Sequence, residues 1–138
     1  MTEQEKKLLT RDLSGRIPYG VKVVTNHTIS QHHITVETIT VRKRSQFLEG
    51  IYHCLIRSDH PYMAYIEDVK PYLFPLDSLS DEEKAELKEL RRVIKFSIDD
   101  NGEEAMAKVL EYLNERHIDY NRLIEKGLAI DATDKNIY

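Results

Sequence analysis

Lys70-Pro71-Tyr72-Leu73-Phe74-Pro75-Leu76 divides the chain into two halves of different character. Proline fixes φ and lacks a backbone N–H, so this pair argues against a central strand or a helix interior. The apolar residues between the prolines are expected to pack on a neighbouring sheet rather than stand in water. Residues 1–76 hold 10 Lys/Arg against 8 Asp/Glu, are rich in β-branched residues, and carry five of the six histidines. Residues 77–138 hold 10 Lys/Arg against 16 Asp/Glu and have the periodicity of helices. The segment is therefore expected to be the seam where a strand-built body meets a helical cover.

Upstream of the seam, Tyr62 to Val69 alternates as a strand, with Tyr62, Ala64 and Ile66 on one face and Met63 and Tyr65 on the other. Gly50 to Arg57 is a second strand. Ile34 to Val41 is the richest in β-branched residues, but its alternation slips. Either a bulge lies near Glu37-Thr38 or two strands meet at a tight turn. Val21 to Val24 is a further short strand. The chain starts with a helix, because Thr2 and Glu5 have the spacing of a capping box. Leu9 and Leu13 share its buried face, and Gly15 is placed to end it.

Downstream, Ser80 and Glu83 form a second capping box, with Leu87, Leu90 and Ile94 along one face of the helix that follows. A third helix is expected from Glu103 to Arg116 with Met106, Val109, Leu110 and Leu113 as its stripe. A helical turn from Tyr120 to Lys126 closes at Gly127 and Leu128, and the tail from Asp131 has few anchors. These elements predict one α+β domain over residues 1–138. It has an N-terminal helix, a small antiparallel sheet or partial SH3-like barrel, and C-terminal helices packed on it.

With 138 residues, 41% hydrophobic content and a net charge of −4, the chain is long enough for a real core and too acidic for a nucleic-acid coat protein. The first residues lack the apolar core of a secretion signal, and no run approaches the ~18 apolar residues of a membrane span. The expected setting is cytoplasmic, with no membrane contact. The single cysteine, Cys54, excludes an intrachain disulfide and lies in an apolar strand, pointing away from His53.

The chemistry-bearing motifs are few. His27 and His32 have one zinc-like spacing, but no second cysteine completes a site, so no metal and no cofactor is expected. Asp99-Asp100-Asn101-Gly102 fails the calcium-loop template, because Lys108 stands where the bidentate Glu belongs. His117 and Asp119 lie close in sequence, yet no nucleophile motif accompanies them and Asp119 suits a helix N-cap. No catalytic residue is assigned. Lys88, Arg91 and Arg92 sit among acids on the second helix, as a solvated face does. The basic cluster Arg42, Lys43 and Arg44, at a strand end with Tyr52 and Tyr65 on nearby strands, is the candidate contact surface. Its cations suit phosphates and its rings suit bases.

Three stretches taken together resemble a known family. They are Arg16-Ile17-Pro18-Tyr19-Gly20-Val21, then Tyr65 through Leu76 (YIEDVKPYLFPL), then His117 through Ala129 (HIDYNRLIEKGLA). In order and spacing they are similar to short uncharacterised proteins of gut Bacteroidales genomes and of their phages and mobile elements. The resemblance spans both ends and the seam; it is weakest over residues 25–62 and 93–102. It implies a bacterial cytoplasmic setting and a phage or prophage origin. It implies no activity, so no residue takes a catalytic role from it.

The expected function is that of a non-enzymatic accessory or regulatory protein acting through protein contacts. The alternative is a small-barrel nucleic-acid binder using the same residues. The apolar seam suggests a second copy of the chain as a further partner.

Overall fold

The computed structural model describes residues 1–26, 35–43, 50–57, 61–96 and 101–138. His27, His32, His33, His60, Arg44, Asp99, Asp100 and the turn at 58–60 lie outside the described residues. The chain is α+β. Its elements are α1 (Glu3–Arg16), β1 (Val23–Thr25), β2 (Thr35–Lys43), β3 (Gly50–Arg57), β4 (Tyr62–Tyr65), β5 (Val69–Pro75), α2 (Asp81–Phe96), α3 (Asn101–Glu115), β6 (Ile118–Asp119) and β7 (Ile130–Asp131).

The strands form two sheets instead of one. β2, β3 and β4 make an antiparallel three-stranded sheet, while β5 is flanked by β1, β6 and β7 in a mixed one. An antiparallel bridge from Lys22 to Thr35 links the two. The slip in β2 is a bulge: the register to β3 shifts between Val36 and Thr38. The strand starting at Tyr62 stops at Tyr65, and a 3-10 turn over Ile66–Asp68 redirects the chain into β5.

The seam is the hub of the mixed sheet, which corrects the expectation that its prolines exclude a central strand. The amides of successive strand residues point to opposite edges, so those two apart share one. The Tyr72 amide donates to the Lys22 carbonyl and the Phe74 amide to the His117 carbonyl, so β1 and β6 share one edge end to end. Leu73 faces the other edge, where its carbonyl accepts from the Ala132 amide. Pro71 and Pro75 have the parity of Leu73, so their missing N–H groups fall on that second edge. There β7 pairs only with Tyr72 and Leu73, and no ladder bond is lost. Of the seam's apolar side chains, Pro71, Tyr72 and Leu73 bury within the chain, Phe74 and Pro75 are half-buried, and Leu76 stays 41% exposed. The chain itself thus covers most of the apolar surface that was expected to seek a second copy.

Both capping boxes form. α1 continues one residue past Gly15 to Arg16, and the left-handed residue is Gly20 at φ 68°, after a 3-10 turn over Ile17–Tyr19. Gly15 instead permits close approach of α3: a Cβ there would lie 3.4 Å from Asn114 Nδ2. Leu9 and Leu13 are wholly buried among Val23, Cys54, Ile56, Ile66, Val69 and Leu73. Each is worth about 1.5–3 kcal/mol of burial. A second cluster joins Leu79 and Leu87 to Val109, Tyr112, Leu113 and Ile118. The buried stripe of α3 is therefore Ala105, Val109, Tyr112 and Leu113, while Met106 and Leu110 are exposed at 54% and 43%. Val109 and Leu113 of the expected stripe are buried, but Ala105 and Tyr112 take the places expected for Met106 and Leu110, with the Tyr112 ring packed against Leu79 and Leu87.

The tail is strapped down, against the expectation that it frays. Ala132 and Ile137 are buried beside Tyr72. The Tyr138 hydroxyl accepts from the Lys22 amide at 2.9 Å and donates to the Tyr72 carbonyl at 2.8 Å.

Candidate functional site

The two rings expected beside the basic strand end lie on opposite faces of the three-stranded sheet. Arg42 and Lys43 lie on β2 opposite Ile51 and Gly50, and Arg44 is outside the described residues. Tyr52 is only 5% exposed, and its hydroxyl donates to Glu3 Oε1 at 2.8 Å. Tyr65 is 54% exposed and meets the edge of His53 with ring centroids 5.1 Å apart. Because His53 is the residue paired with Tyr65, Tyr52 points to the opposite face of the sheet. The two rings therefore do not share a surface. Cys54 is fully buried, and burial, with Glu67 as the lesser cause, pushes its thiol up to about 12.

A different site is formed where α2, the end of β5 and the segment after β6 converge. A cleft of about 700 Å³ lies between them. Its floor is apolar: Pro75, Leu76, Leu79, Leu87 and Ile124. One wall is the α2 face bearing Lys84, Lys88 and Arg91; the other carries Arg122 and Glu125. Asp77, Asp119 and Tyr120 complete the lining.

Local sequence explains each wall. At 100° per residue, Lys84, Lys88 and Arg91 fall within about 60° of helix surface, beside Leu87. The capping box at Ser80 fixes where α2 starts, and burial of Leu79 and Leu87 fixes its rotation. The opposite wall is a Schellman closure. The Leu128 amide donates to the Leu123 carbonyl at 2.9 Å, the Gly127 amide to Ile124 at 3.1 Å, and Gly127 has φ 73°. Asp119 caps its start, with its two carboxylate oxygens accepting from the Leu123 and Ile124 amides at 2.8 and 2.9 Å. Asp119 thus caps the turn that follows, but no helix starts at Tyr120: residues 120–126 form turns, with Arg122 at φ 57°.

Behind this wall lies a buried charge pair. Arg16 and Asp12, both inaccessible, meet at 2.7 Å one turn apart on α1. Arg16 Nη2 donates to the Ile118 carbonyl at 2.7 Å, and Asn121 Nδ2 donates to Asp12 Oδ1 at 2.8 Å. The guanidinium also lies 4.8 Å from the Tyr120 ring centroid, and the Tyr120 hydroxyl donates to Asn114 Oδ1. α1 thereby holds both ends of the 118–121 segment and positions the wall of the cleft.

The electrostatics of the cleft run against those of the whole chain. Four cations face three carboxylates there, and one of these, Asp119, is already satisfied by two amides. Lys84, Lys88 and Arg91 are exposed, as is Arg122. None of the four has an ion-pair partner among the described residues. Arg92, one residue further round α2, pairs with Glu89 at 2.7 Å and is the solvated charge expected.

Sequence reading assigned Lys88 and Arg91 to that same solvated face. The 84/88/91 spacing was visible, but nothing local revealed that a second wall would stand across from it. His117 and Asp119 do not form a catalytic pair: Asp119 is used as a cap, and the His117 ring stacks on Tyr138. Among the described residues no group of His, Cys, Asp and Glu is arranged to hold a metal ion. No helix among them is long and apolar enough to cross a membrane. Compared with family models, curated proteins and solved structures, the chain matches none.

Proposed function

We propose that the protein is a non-enzymatic accessory or regulatory module that acts through protein contacts, with the cleft between α2 and the 119–125 segment as its contact site. The observation that carries this reading is an apolar floor rimmed by cations that have no ion-pair partner among the described residues. Such a combination of anchoring pocket and polar rim is what interfaces use. Of the groups suited to proton transfer, the carboxylate of Asp119 is held by two amides and the hydroxyl of Tyr120 by Asn114, which leaves the carboxylates of Asp77 and Glu125 at the rim. The phage or mobile-element setting implied by the family resemblance suits an accessory role.

A photoreactive side chain placed at position 88 tests this, with position 107 on the exposed side of α3 as the control. The expected result is a discrete cross-linked protein partner from position 88 and none from 107. Equal labelling from both positions would reject the cleft as the contact site.

The alternative is a nucleic-acid contact at the three-stranded sheet. It is favoured by exposed Tyr65 beside His53, a ring free to stack. It predicts a mobility shift with single-stranded nucleic acid at low salt. The shift should vanish when Arg42, Lys43 and Arg44 become alanine; persistence rejects the basic strand end.

A further inference from the structure

We infer that the occupant of the cleft is a short acidic peptide segment of a partner protein, with a bulky aliphatic or aromatic side chain as its anchor. This rests on the protein-contact reading above and adds the chemistry of the partner.

The argument starts from how charge is distributed. Lys84, Lys88 and Arg91 form a row about 10 Å long, at 1.5 Å of rise per residue. Arg122 faces that row from the opposite wall. A small ligand with one anionic head would use one end of this row and leave the rest unmatched. A segment bearing two or three carboxylates along a similar length uses all of it, and its apolar side chain would lie against Pro75, Leu76 and Ile124, the apolar lining residues that still reach water. Removing these from water supplies affinity, while the cations supply register and on-rate.

A nucleic-acid strand fits less well. Asp77 and Glu125 stand on the rim, and Asp81, Glu82, Glu86 and Glu89 are exposed on the same helix, where Arg92 is paired with Glu89. A continuous line of phosphates would meet these acids, whereas a short segment can place its carboxylates only where the cations are. The one aromatic ring in the cleft, Tyr120, has a face already taken by Arg16. No free platform for stacking bases is offered there. The 700 Å³ volume admits one or two large side chains but not the broad face of a long helix, which points to a short anchor segment.

The probe is a set of fluorescent ten-residue peptides read by anisotropy with the intact protein. One contains glutamate and leucine, a second replaces glutamate by glutamine, a third replaces leucine by alanine. An oligonucleotide of equal charge is the fourth. The Glu/Leu peptide is expected to bind at least tenfold more tightly than the others, and more weakly as salt rises. Lys88→Glu and Arg122→Asn, exposed substitutions on opposite walls, are each expected to weaken it fivefold or more with unchanged circular dichroism. Equal binding of the glutamine peptide overturns the acidic assignment while leaving a protein-contact cleft standing. Tighter binding of the oligonucleotide, blocked by Lys88→Glu, overturns it in favour of a polyanion. If none of the four binds, the acidic-peptide assignment falls, and the cross-link from position 88 decides separately whether the cleft is a contact site.

Discussion

The imidazole of His117 lies flat on the phenol ring of Tyr138, with centroids 3.7 Å apart and planes 12° from parallel. His117 has φ 57°, which turns the chain between α3 and β6 so that its carbonyl can accept from the Phe74 amide. Its buried Nδ1 has no hydrogen-bond partner among the described residues. One residue thus connects the helical layer, the hub strand and the tail.

Stability should depend on pH through this ring. Burial foremost, then the nearby charges of Arg16 and Lys22, hold His117 down at about 4 from its usual 6.5. The unfolded chain therefore binds more protons than the folded one between these values, and stability rises with pH across that interval. The contribution is full above about pH 6.5 and lost as pH falls toward 4. Because the ring is partly open to solvent, about 1–2 kcal/mol is expected rather than the full shift. Urea midpoints measured from pH 7.5 to 4 check this; in His117→Phe the slope over that range should flatten. An unchanged slope would remove His117 as its source.

Arg16→Met should destabilise by about 3–5 kcal/mol, since it leaves Asp12 buried without its cation. Adding Asp12→Leu removes the stranded charge, so the double variant is expected to be more stable than Arg16→Met alone. Chemical denaturation of the three proteins decides it. Additive losses would mean that the two residues do not act as a pair.

Gly127→Ala should lose about 1–2 kcal/mol, because a Cβ is disfavoured at φ 73° whatever space surrounds it. Since Gly127 closes the wall that carries Arg122 and Ile124, ligand affinity at the cleft should fall as well. A thermal shift in the variant equal to that of the parent would show that the closure bears no strain.

Cys54 should be silent toward Ellman's reagent at pH 8 in the folded protein and react fully in urea, as its burial and raised thiol imply. Labelling on the timescale of a free thiol without denaturant would place Cys54 at the surface and refute the packing of β3.

Part of this molecule is written in short stretches of sequence. The capping boxes at Thr2 and Ser80, the Schellman closure at Gly127, the cap at Asp119 and the extent of β3 were all legible, and the slip in β2 was, though not that it is a bulge. Each depends on interactions between residues a few positions apart, so the chain carries the whole instruction locally. The α+β class follows from the same signals, since period 2 gives way to period 3.6 across the seam.

Tertiary structure decided the rest. Whether Pro71 and Pro75 exclude a hub strand depends on which edge lacks a partner, and that is set by where Ala132 returns to Leu73. Tyr52 and Tyr65 were separated by the register to His53, a pairing between strands that no single strand specifies. The cations of α2 became a site only because Arg16 and Asp12, far away in sequence, hold the 118–121 segment against them. Sequence states the local geometry of each wall; only the long-range contacts say which walls face each other.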